Sequence, residues 1–301
     1  MELGMIGLGR MGANMAQRLI RHGHRVVGFD PGPEAVARLA AAGGTPAGSP
    51  DALVDLLAAP RAIWLMVPAG AAVDEAIEAL APRLAPGDAI VDGGNSNYKD
   101  TQSRARRLAD RRIDFVDVGT SGGVWGLEHG YSLMIGGEAG AVGRLRPIFE
   151  ALAPAVDQGW GHVGSSGAGH FAKMVHNGIE YGLMQAYAEG FAILRGKQDL
   201  GLDLHQVAEI WRHGSVVRSW LLDLVTAALR ENPRLHGIAP YVQDSGEGRW
   251  TVAEAIDLNI AAPVITLALL QRLRSRDADS FSDRLLAALR GEFGGHVVRR
   301  E

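Results

Sequence analysis

A short stretch near the middle of the chain, Lys173 to Tyr181, concentrates side chains that can bind and move protons. It opens an apolar pattern that predicts a helix over about 170–195. At about 100° per residue, Lys173, Asn177 and Glu180 fall within about 60° of one another on that helix. An amine, an amide and a carboxylate on one face can accept, orient and return a proton. A surface helix can also present such a face to water. The flanking polar side chains are His176 and Tyr181.

The lysine in this stretch is itself informative. Of 30 basic residues, only Lys99, Lys173 and Lys197 are lysine, so a cation without a special role would be expected to be arginine here. A lysine can lose its proton and act as a base, whereas a guanidinium stays charged. The residue type therefore favours Lys173 as a general base.

The N-terminus carries a glycine motif of a kind that binds dinucleotides. A buried strand (Leu3–Ile6) runs into Gly7-Leu-Gly-Arg-Met-Gly12, a helix is predicted over about 14–22, and a second strand (Arg25–Phe29) ends at Asp30. In such a motif the glycines allow the tight turn, the approach of a pyrophosphate and the packing of helix on strand. This context disfavours the alternative, a purely structural glycine turn. The predicted cofactor-binding residues are Gly7, Leu8, Gly9, Arg10, Met11, Gly12, Asp30, Val67, Pro68 and Asn95.

Asp30 bears on the choice of cofactor. A carboxylate at the end of the second strand can accept hydrogen bonds from the adenosine ribose and repels a 2′-phosphate. The residues that follow, Pro31 to Glu34, include no arginine that could bind that phosphate. NAD is therefore favoured over NADP, with Arg10 the residue most able to reverse the preference.

Further strand patterns predict an α/β, Rossmann-type doubly wound domain. They lie at Ala62–Val67, Ala89–Asp92, Phe115–Val118 and Tyr131–Ile135, and each ends in a glycine-rich or polar loop. We expect these loops to gather along one edge of the sheet, where Asn95, Ser121, Gly122 and Gly123 would form a polar rim near the nicotinamide.

After about Gly164 the pattern becomes helical. Helical periodicity appears near 170–195, 203–213, 216–231, 251–273 and 278–291. The sequence thus predicts a nucleotide-binding domain over residues 1–163 and an all-helical domain for substrate binding and dimerisation over residues 164–301.

Composition excludes several classes of function. The net charge of −4 and the lack of a dense basic block argue against a nucleic-acid surface. The absence of cysteine rules out disulfides, zinc–thiolate sites and thiol catalysis. The sequence shows no metal-ligand spacing, no membrane-spanning apolar run and no targeting segment before the first strand, so we expect a cytoplasmic protein without a catalytic metal.

Together these motifs resemble one enzyme family. The glycine motif, Asp92-Gly-Gly-Asn-Ser96, Ser121-Gly-Gly123 and the Lys173–Tyr181 stretch are similar to those of the 6-phosphogluconate dehydrogenases, the decarboxylating enzymes of the pentose phosphate pathway. The chain resembles the short, NAD-preferring type, and the likeness covers essentially its whole length. The roles of Trp125 and His129 stay open, because the chain departs there from the commoner long type.

The resemblance implies a role for each motif. Lys173 would take the proton of the substrate 3-hydroxyl as hydride leaves C3, and Glu180 would protonate the product carbon after CO2 is lost. The implied substrate-binding residues are Asn95, Ser121, Gly122, Gly123, His176 and Asn177 for the carboxylate and hydroxyls, with Tyr181, Arg249 and Arg272 for the phosphate.

The resemblance also implies an oligomer, either a homodimer or a homotetramer. In the family the C-terminal tail reaches a neighbouring subunit, so Arg290 and His296 would serve the substrate phosphate of the partner. The residues alone favour a frayed terminus carrying an incidental histidine.

Two other functions are compatible with parts of the pattern. A β-hydroxyacid dehydrogenase that acts on a small unphosphorylated acid without decarboxylation would share the fold and the lysine. It would usually lack Gly93-Gly94 and the Glu180-Tyr181 pair. A non-catalytic NAD-binding module would need neither Lys173 nor Glu180 on one face.

Overall fold

A computed structural model of the chain describes residues 1–294 and 297–299. The chain forms two compact units, one from Met1 to Asn177 and the other from Gly178 onward. The domain assignment made from the sequence, with its boundary between residues 163 and 164, stays a prediction.

The first unit is built on an eight-stranded sheet. Its strands are β1 (Glu2–Ile6), β2 (Arg25–Phe29), β3 (Thr45–Pro46), β4 (Ala62–Leu65), β5 (Ala89–Asp92), β6 (Asp114–Ser121), β7 (Ser132–Gly136) and β8 (Trp160–Gly164). The order is β3-β2-β1-β4-β5-β6-β7-β8. Neighbouring strands are parallel, except that β6 and β7 are antiparallel. The order reverses between β1 and β4, as in doubly wound dinucleotide-binding sheets, which confirms the predicted fold class.

Helices cover both faces of this sheet. They are α1 (Arg10–Arg21), α2 (Pro33–Ala41), α3 (Pro50–Asp55), α4 (Ala71–Leu80), α5 (Tyr98–Ala109), α6 (Gly126–His129) and α7 (Ala139–Leu152). Because side chains alternate along a strand, Trp64 of β4 packs in one apolar cluster with Phe149. Ile63 and Leu65 of the same strand pack in the other cluster with Ile77. Burial on both sides explains why the central strands read as continuous apolar runs.

The remainder of the described chain is helical, as predicted. Its helices are α8 (Ala168–Gly196), α9 (Leu204–Trp211), α10 (Trp220–Glu231), α11 (Glu247–Asp257), α12 (Pro263–Arg274) and α13 (Phe281–Gly294). The single helix expected near 251–273 is wrong, since α11 ends at Asp257 and Pro263 begins α12. Proline has no N–H to continue a helix but suits its first turn. No helix in this described part of the chain is both long and apolar enough to cross a bilayer.

Several expectations for the sheet need correction. β7 is antiparallel to β6, so the loop at Gly136 and Gly137 lies at the opposite edge from the loop after Ser121. Ser121 itself is the last residue of β6 rather than part of a loop, and α1 begins at Arg10, earlier than expected. An apolar strand pattern carries no direction, which is why the reversal at β7 could not be seen in the sequence.

Candidate active site

The glycine loop after β1 has the geometry that a dinucleotide requires. Gly7 has φ +91°, and a Cβ on it would lie 2.4 Å from the carbonyl oxygen of Met66. A Cβ on Gly12 would lie 2.0 Å from the carbonyl oxygen of Gly7, so α1 packs directly against the turn. Gly9 precedes α1 and has open space where its side chain would be. The free N–H groups at the start of α1 are therefore accessible to a phosphate.

Asp30 stabilises this loop as well as ending β2. Its carboxylate accepts hydrogen bonds from the backbone N–H of Leu8 at 2.7 Å and of Gly32 at 2.8 Å. A carboxylate has about four lone-pair directions, so acceptor capacity is left for a ribose hydroxyl. Arg10 is exposed at the first position of α1.

The loops after β4 and β5 continue this edge of the sheet. Val67 is half-buried, and its Cγ1 lies 3.3 Å from where a Cβ of Gly7 would be, while Pro68 is exposed. After β5, Asn95 is exposed between two residues tied to Asp92. The buried Asp92 carboxylate accepts from the N–H of Gly94 at 3.1 Å and from Oγ of Ser96 at 2.7 Å.

Lys173 lies against β6. A Cβ on Gly119 would come within 2.4 Å of Lys173 Cβ, so the absence of a side chain there lets the lysine stem cross the strand. Ser121 ends this strand, and Gly122 (φ +136°) and Gly123 (φ +53°) follow in conformations that favour glycine. Beyond them, the exposed Trp125 ring stacks on His129 with 6.4 Å between ring centroids.

Two of the side chains predicted to lie near Lys173 contact it, Asn177 and His176. Lys173 is 7% exposed, and its Nζ donates to Oδ1 of Asn177 at 2.7 Å. His176 Nδ1 lies 3.4 Å from Nζ and 3.0 Å from the same amide oxygen. Glu180 follows on α8 and is half-buried.

Two buried residues that sequence reasoning missed anchor the start of α8. The Asp117 carboxylate on β6 accepts from the N–H of Gly167 at 2.7 Å and of His170 at 2.9 Å. The His170 ring is 1% exposed and contacts Thr101 Oγ1 and the Asp92 carbonyl oxygen. Nothing in the local sequence singles out these two residues, because their partners are distant in the chain.

In the second unit, Tyr181 and Arg272 form a stacked pair. The guanidinium carbon lies 3.4 Å from the ring centroid. Gly248 of α11 also packs against the Tyr181 ring, and a Cβ on it would lie 2.3 Å from Cε2 of that ring. The Tyr181 hydroxyl is buried and has no hydrogen-bond partner among the residues that the structure describes, so its hydrogen-bonding capacity is unused there.

Arg249 and Arg272 both contact the segment before α11, at the neighbouring residues Asp244 and Gln243. Arg272 donates to the carbonyl oxygen of Gln243 at 3.0 Å, and the next residue, Asp244, binds both Arg249 and Arg276. Burial raises the pKa of Asp244, but hydrogen bonds and the attraction of the two arginines outweigh it and leave the pKa below its usual range. Arg276 was not expected from the sequence.

Of the two predicted tail residues, the structure describes Arg290. Arg290 is exposed on α13, and within residues 1–294 the structure gives no contact between it and Arg249 or Arg272. His296 lies outside the described residues.

Comparisons with known proteins found matches to both parts of the chain. Residues 2–161 match the NAD binding domain of 6-phosphogluconate dehydrogenase, and residues 169–292 match the C-terminal domain of that enzyme. The NAD(+)-dependent, decarboxylating 6-phosphogluconate dehydrogenase of Haloferax volcanii is 48% identical over 100% of this chain and 99% of its own length. The decarboxylating 6-phosphogluconate dehydrogenase of Haemophilus influenzae is 40% identical over 95% of this chain.

The lengths of these relatives confirm the predicted short type. The chain spans 61% of the Haemophilus influenzae protein. It also spans 66% of Plasmodium falciparum 6-phosphogluconate dehydrogenase, a solved structure that covers 100% of this chain with a TM-score of 0.84 and 27% identity. By its two domain matches and its full-length similarity to a short NAD-dependent relative, the chain belongs to the 6-phosphogluconate dehydrogenase family.

Proposed function

We propose that this chain catalyses the NAD-dependent oxidative decarboxylation of 6-phospho-D-gluconate to D-ribulose 5-phosphate and CO2. The observation that carries the proposal is the buried Lys173, which donates to Asn177 and crosses β6 at Gly119, two residues before Ser121. An amine so placed, beside the strand end whose loop is expected to hold substrate, can act as a base without a metal.

The first unit fits NAD. The start of α1 and the open position at Gly9 suit the pyrophosphate, and Asp30 suits the ribose diol. When bound, NAD supplies the acceptor for the hydride. The negative charge of Asp30 disfavours a 2′-phosphate at that position.

Lys173 and Glu180 would divide the proton transfers. The neutral Lys173 amine accepts the proton of the 3-hydroxyl as hydride leaves C3, which gives a 3-keto acid. C1 then departs as CO2, and the electrons of the C1–C2 bond form an enediolate whose O3 is stabilised by protonated Lys173. Glu180 donates a proton to C2, which becomes C1 of ribulose 5-phosphate.

The other predicted residues would bind the substrate. Asn95, Ser121, Gly122 and Gly123 follow β5 and β6, and His176 and Asn177 lie beside Lys173; these six suit the carboxylate and hydroxyls. In the second unit, the Tyr181 hydroxyl, which has no partner within the described residues, and the guanidinium groups of Arg249 and Arg272 suit a phosphate.

We also propose a homodimer or homotetramer in which the tail, with Arg290 and His296, completes the site of a neighbour. Large apolar side chains exposed on helices of the second unit support an interface. Examples are Ile193 of α8 (74% exposed), Leu267 of α12 (64%) and Phe281 of α13 (71%).

A paired assay of wild type and Lys173→Met tests the function. Each enzyme would receive 6-phosphogluconate with NAD or NADP, with reduced cofactor and CO2 followed together. Equal NADH and CO2 from wild type, lost by a factor of at least about 10² in the variant, is the expected result. NADH without CO2, or turnover of unphosphorylated acids alone, would instead indicate the non-decarboxylating β-hydroxyacid dehydrogenase.

A further inference from the structure

We propose that His170 is a positioning residue that fixes the catalytic helix α8, and therefore Lys173, relative to the loop that carries Asn95. The inference rests on the proposed role of Lys173 as the base. His170 itself would touch neither substrate nor cofactor.

Both nitrogens of the His170 ring are used within the protein interior. Nε2 lies 3.1 Å from the carbonyl oxygen of Asp92, and Nδ1 lies 2.7 Å from Oγ1 of the fully buried Thr101. A carbonyl can only accept, so Nε2 carries the proton in the first contact. In the neutral ring, Nδ1 then accepts from the Thr101 hydroxyl. The ring thus joins α8 to the last residue of β5 and to α5.

The Asp92 contact leads directly to the Asn95 loop. The carboxylate of the same residue binds the N–H of Gly94 and the hydroxyl of Ser96, one on each side of Asn95. Nη1 of Arg104, whose side chain is 2% exposed, lies 3.8 Å from Oδ2 of Asp92 and adds a positive charge to this buried group. A displacement of His170 would therefore be transmitted to the backbone on both sides of Asn95.

Other contacts of α8 hold it on different strands. Asp117 binds its first N–H groups from β6, and a Cβ on Gly169 would lie 2.4 Å from the carbonyl oxygen of Met134 in β7. These contacts fix the distance between α8 and strands β6 and β7. The His170 side chain adds the connection to β5, and Lys173 lies one helical turn after it.

The expected consequence is kinetic. Displacing a catalytic group by about 1 Å can lower a rate by about 10². Without the His170–Asp92 hydrogen bond, Lys173 and Asn95 would no longer be held in a fixed position relative to each other. The glycine loop and Asp30 do not depend on this hydrogen bond. The loss should fall mainly on kcat, and KM for NAD should change less, because Asn95 is only one of the predicted cofactor-binding residues.

The test compares two polar replacements of similar size. In His170→Gln the amide nitrogen can take the place of Nε2 and donate to the Asp92 carbonyl, whereas in His170→Asn the shorter amide can reach only towards Thr101. We expect His170→Asn to lower kcat by about 10- to 100-fold and His170→Gln to stay within about threefold of wild type. In both variants KM for NAD should change by a smaller factor than kcat changes in His170→Asn. With 3-deuterated substrate, the isotope effect on kcat should rise in His170→Asn, as hydride transfer becomes rate-limiting.

Thr101→Val is the matched control, because it removes the other ring contact and leaves the Asp92 contact in place. It should lower the melting temperature while keeping kcat within about threefold of wild type. The proposal is overturned if the Gln and Asn variants have the same kcat, or if Thr101→Val loses as much kcat as His170→Asn. Turnover by Lys173→Met would instead refute the assignment of the base, whatever the His170 variants do.

Discussion

The backbone N–H of Leu8 donates to a carboxylate oxygen of Asp30 at 2.7 Å. Asp30 therefore stabilises the glycine loop as an acceptor, and we propose that its negative charge also selects the cofactor. An amide of the same shape can keep the acceptor for Leu8 and removes the charge, but its NH2 group cannot accept from the N–H of Gly32.

Asp30→Asn should therefore change the choice of cofactor while keeping the contact with Leu8. Losing a charged hydrogen bond to the ribose removes about 1.5–3 kcal/mol, so kcat/KM with NAD should fall about 10- to 100-fold. Removal of the repulsion should raise kcat/KM with NADP. Steady-state kinetics with both cofactors measure the ratio, and Asp30→Ala, which also loses the contact with Leu8, should in addition melt at a lower temperature. An unchanged ratio in Asp30→Asn would assign the discrimination to Arg10.

Tyr181→Phe should weaken binding of the substrate phosphate. The phenyl ring keeps its stack with Arg272, but the buried hydroxyl that lacks a partner among the described residues is gone. A hydrogen bond to a charged group is worth about 1.5–3 kcal/mol, so KM for 6-phosphogluconate should rise about tenfold or more while KM for NAD is unchanged. Unphosphorylated gluconate is the control substrate, and its kcat/KM should be the same in both enzymes. A loss confined to kcat would contradict a role in phosphate binding.

The parts of the fold that the sequence predicts are those with a local signal. The strands around Gly7–Gly12 and the helix that carries Lys173 follow from periodicity and from the residues at their ends. Strand β8 was missed, because its Trp160–Gly164 sequence contains two glycines and a histidine rather than an apolar run. The direction of β7 depends on its pairing with β6, which a single strand does not encode.

In the candidate site, too, the sequence predicts the residues with a local signal and misses those whose partners are distant in the chain. Lys173, His176 and Asn177 were found because helical spacing brings them together. The contacts of His170 and Asp117 join residues 50 or more positions apart, and no periodicity reveals such pairs. Their importance becomes visible only when β5, β6 and α8 are assembled.

Gly119→Ala tests how closely α8 must approach the sheet. The added methyl would lie 2.4 Å from Lys173 Cβ and 2.6 Å from the carbonyl oxygen of Gly169, so the helix has to move. Overpacking of this kind costs about 1–3 kcal/mol, and we expect lower stability to urea together with a fall in kcat of about 10-fold or more. Gly143→Ala in α7, where nothing lies within 4 Å, is the matched control and should be neutral or stabilising by up to about 1 kcal/mol. Wild-type kcat in Gly119→Ala would show that Lys173 does not need this close approach.

The Asp244 carboxylate should give the fold a pH-dependent contribution. Its folded pKa is lowered from the ordinary value of 3.8. A carboxyl group with a lowered pKa stabilises the fold fully above its unfolded pKa, and this stability is lost as pH falls through the folded pKa. Asp244→Asn should therefore melt about 2–4 °C below wild type at pH 7, and the difference should narrow below about pH 4. Thermal unfolding from pH 7 to pH 3.5 measures it; a difference independent of pH would indicate that the charge of Asp244 contributes nothing.

Helices of the second unit expose large apolar side chains that we expect to form an interface between subunits. Contiguous exposed apolar patches of more than a few hundred Å² mark interaction sites, and Leu267 is 64% exposed on α12. We expect wild type to sediment as a dimer or tetramer and Leu267→Glu to shift towards the monomer, because a buried unpaired carboxylate opposes association. If the tail of one subunit completes the site of another, kcat should fall with the same concentration dependence as dissociation.

Val156→Glu is the control. It charges a similarly exposed residue (62%) of the first unit and should leave both the sedimentation and kcat unchanged. A monomeric wild type with full kcat would contradict both the interface and the shared site, whereas a monomeric Leu267→Glu with full kcat would contradict only the contribution of the tail.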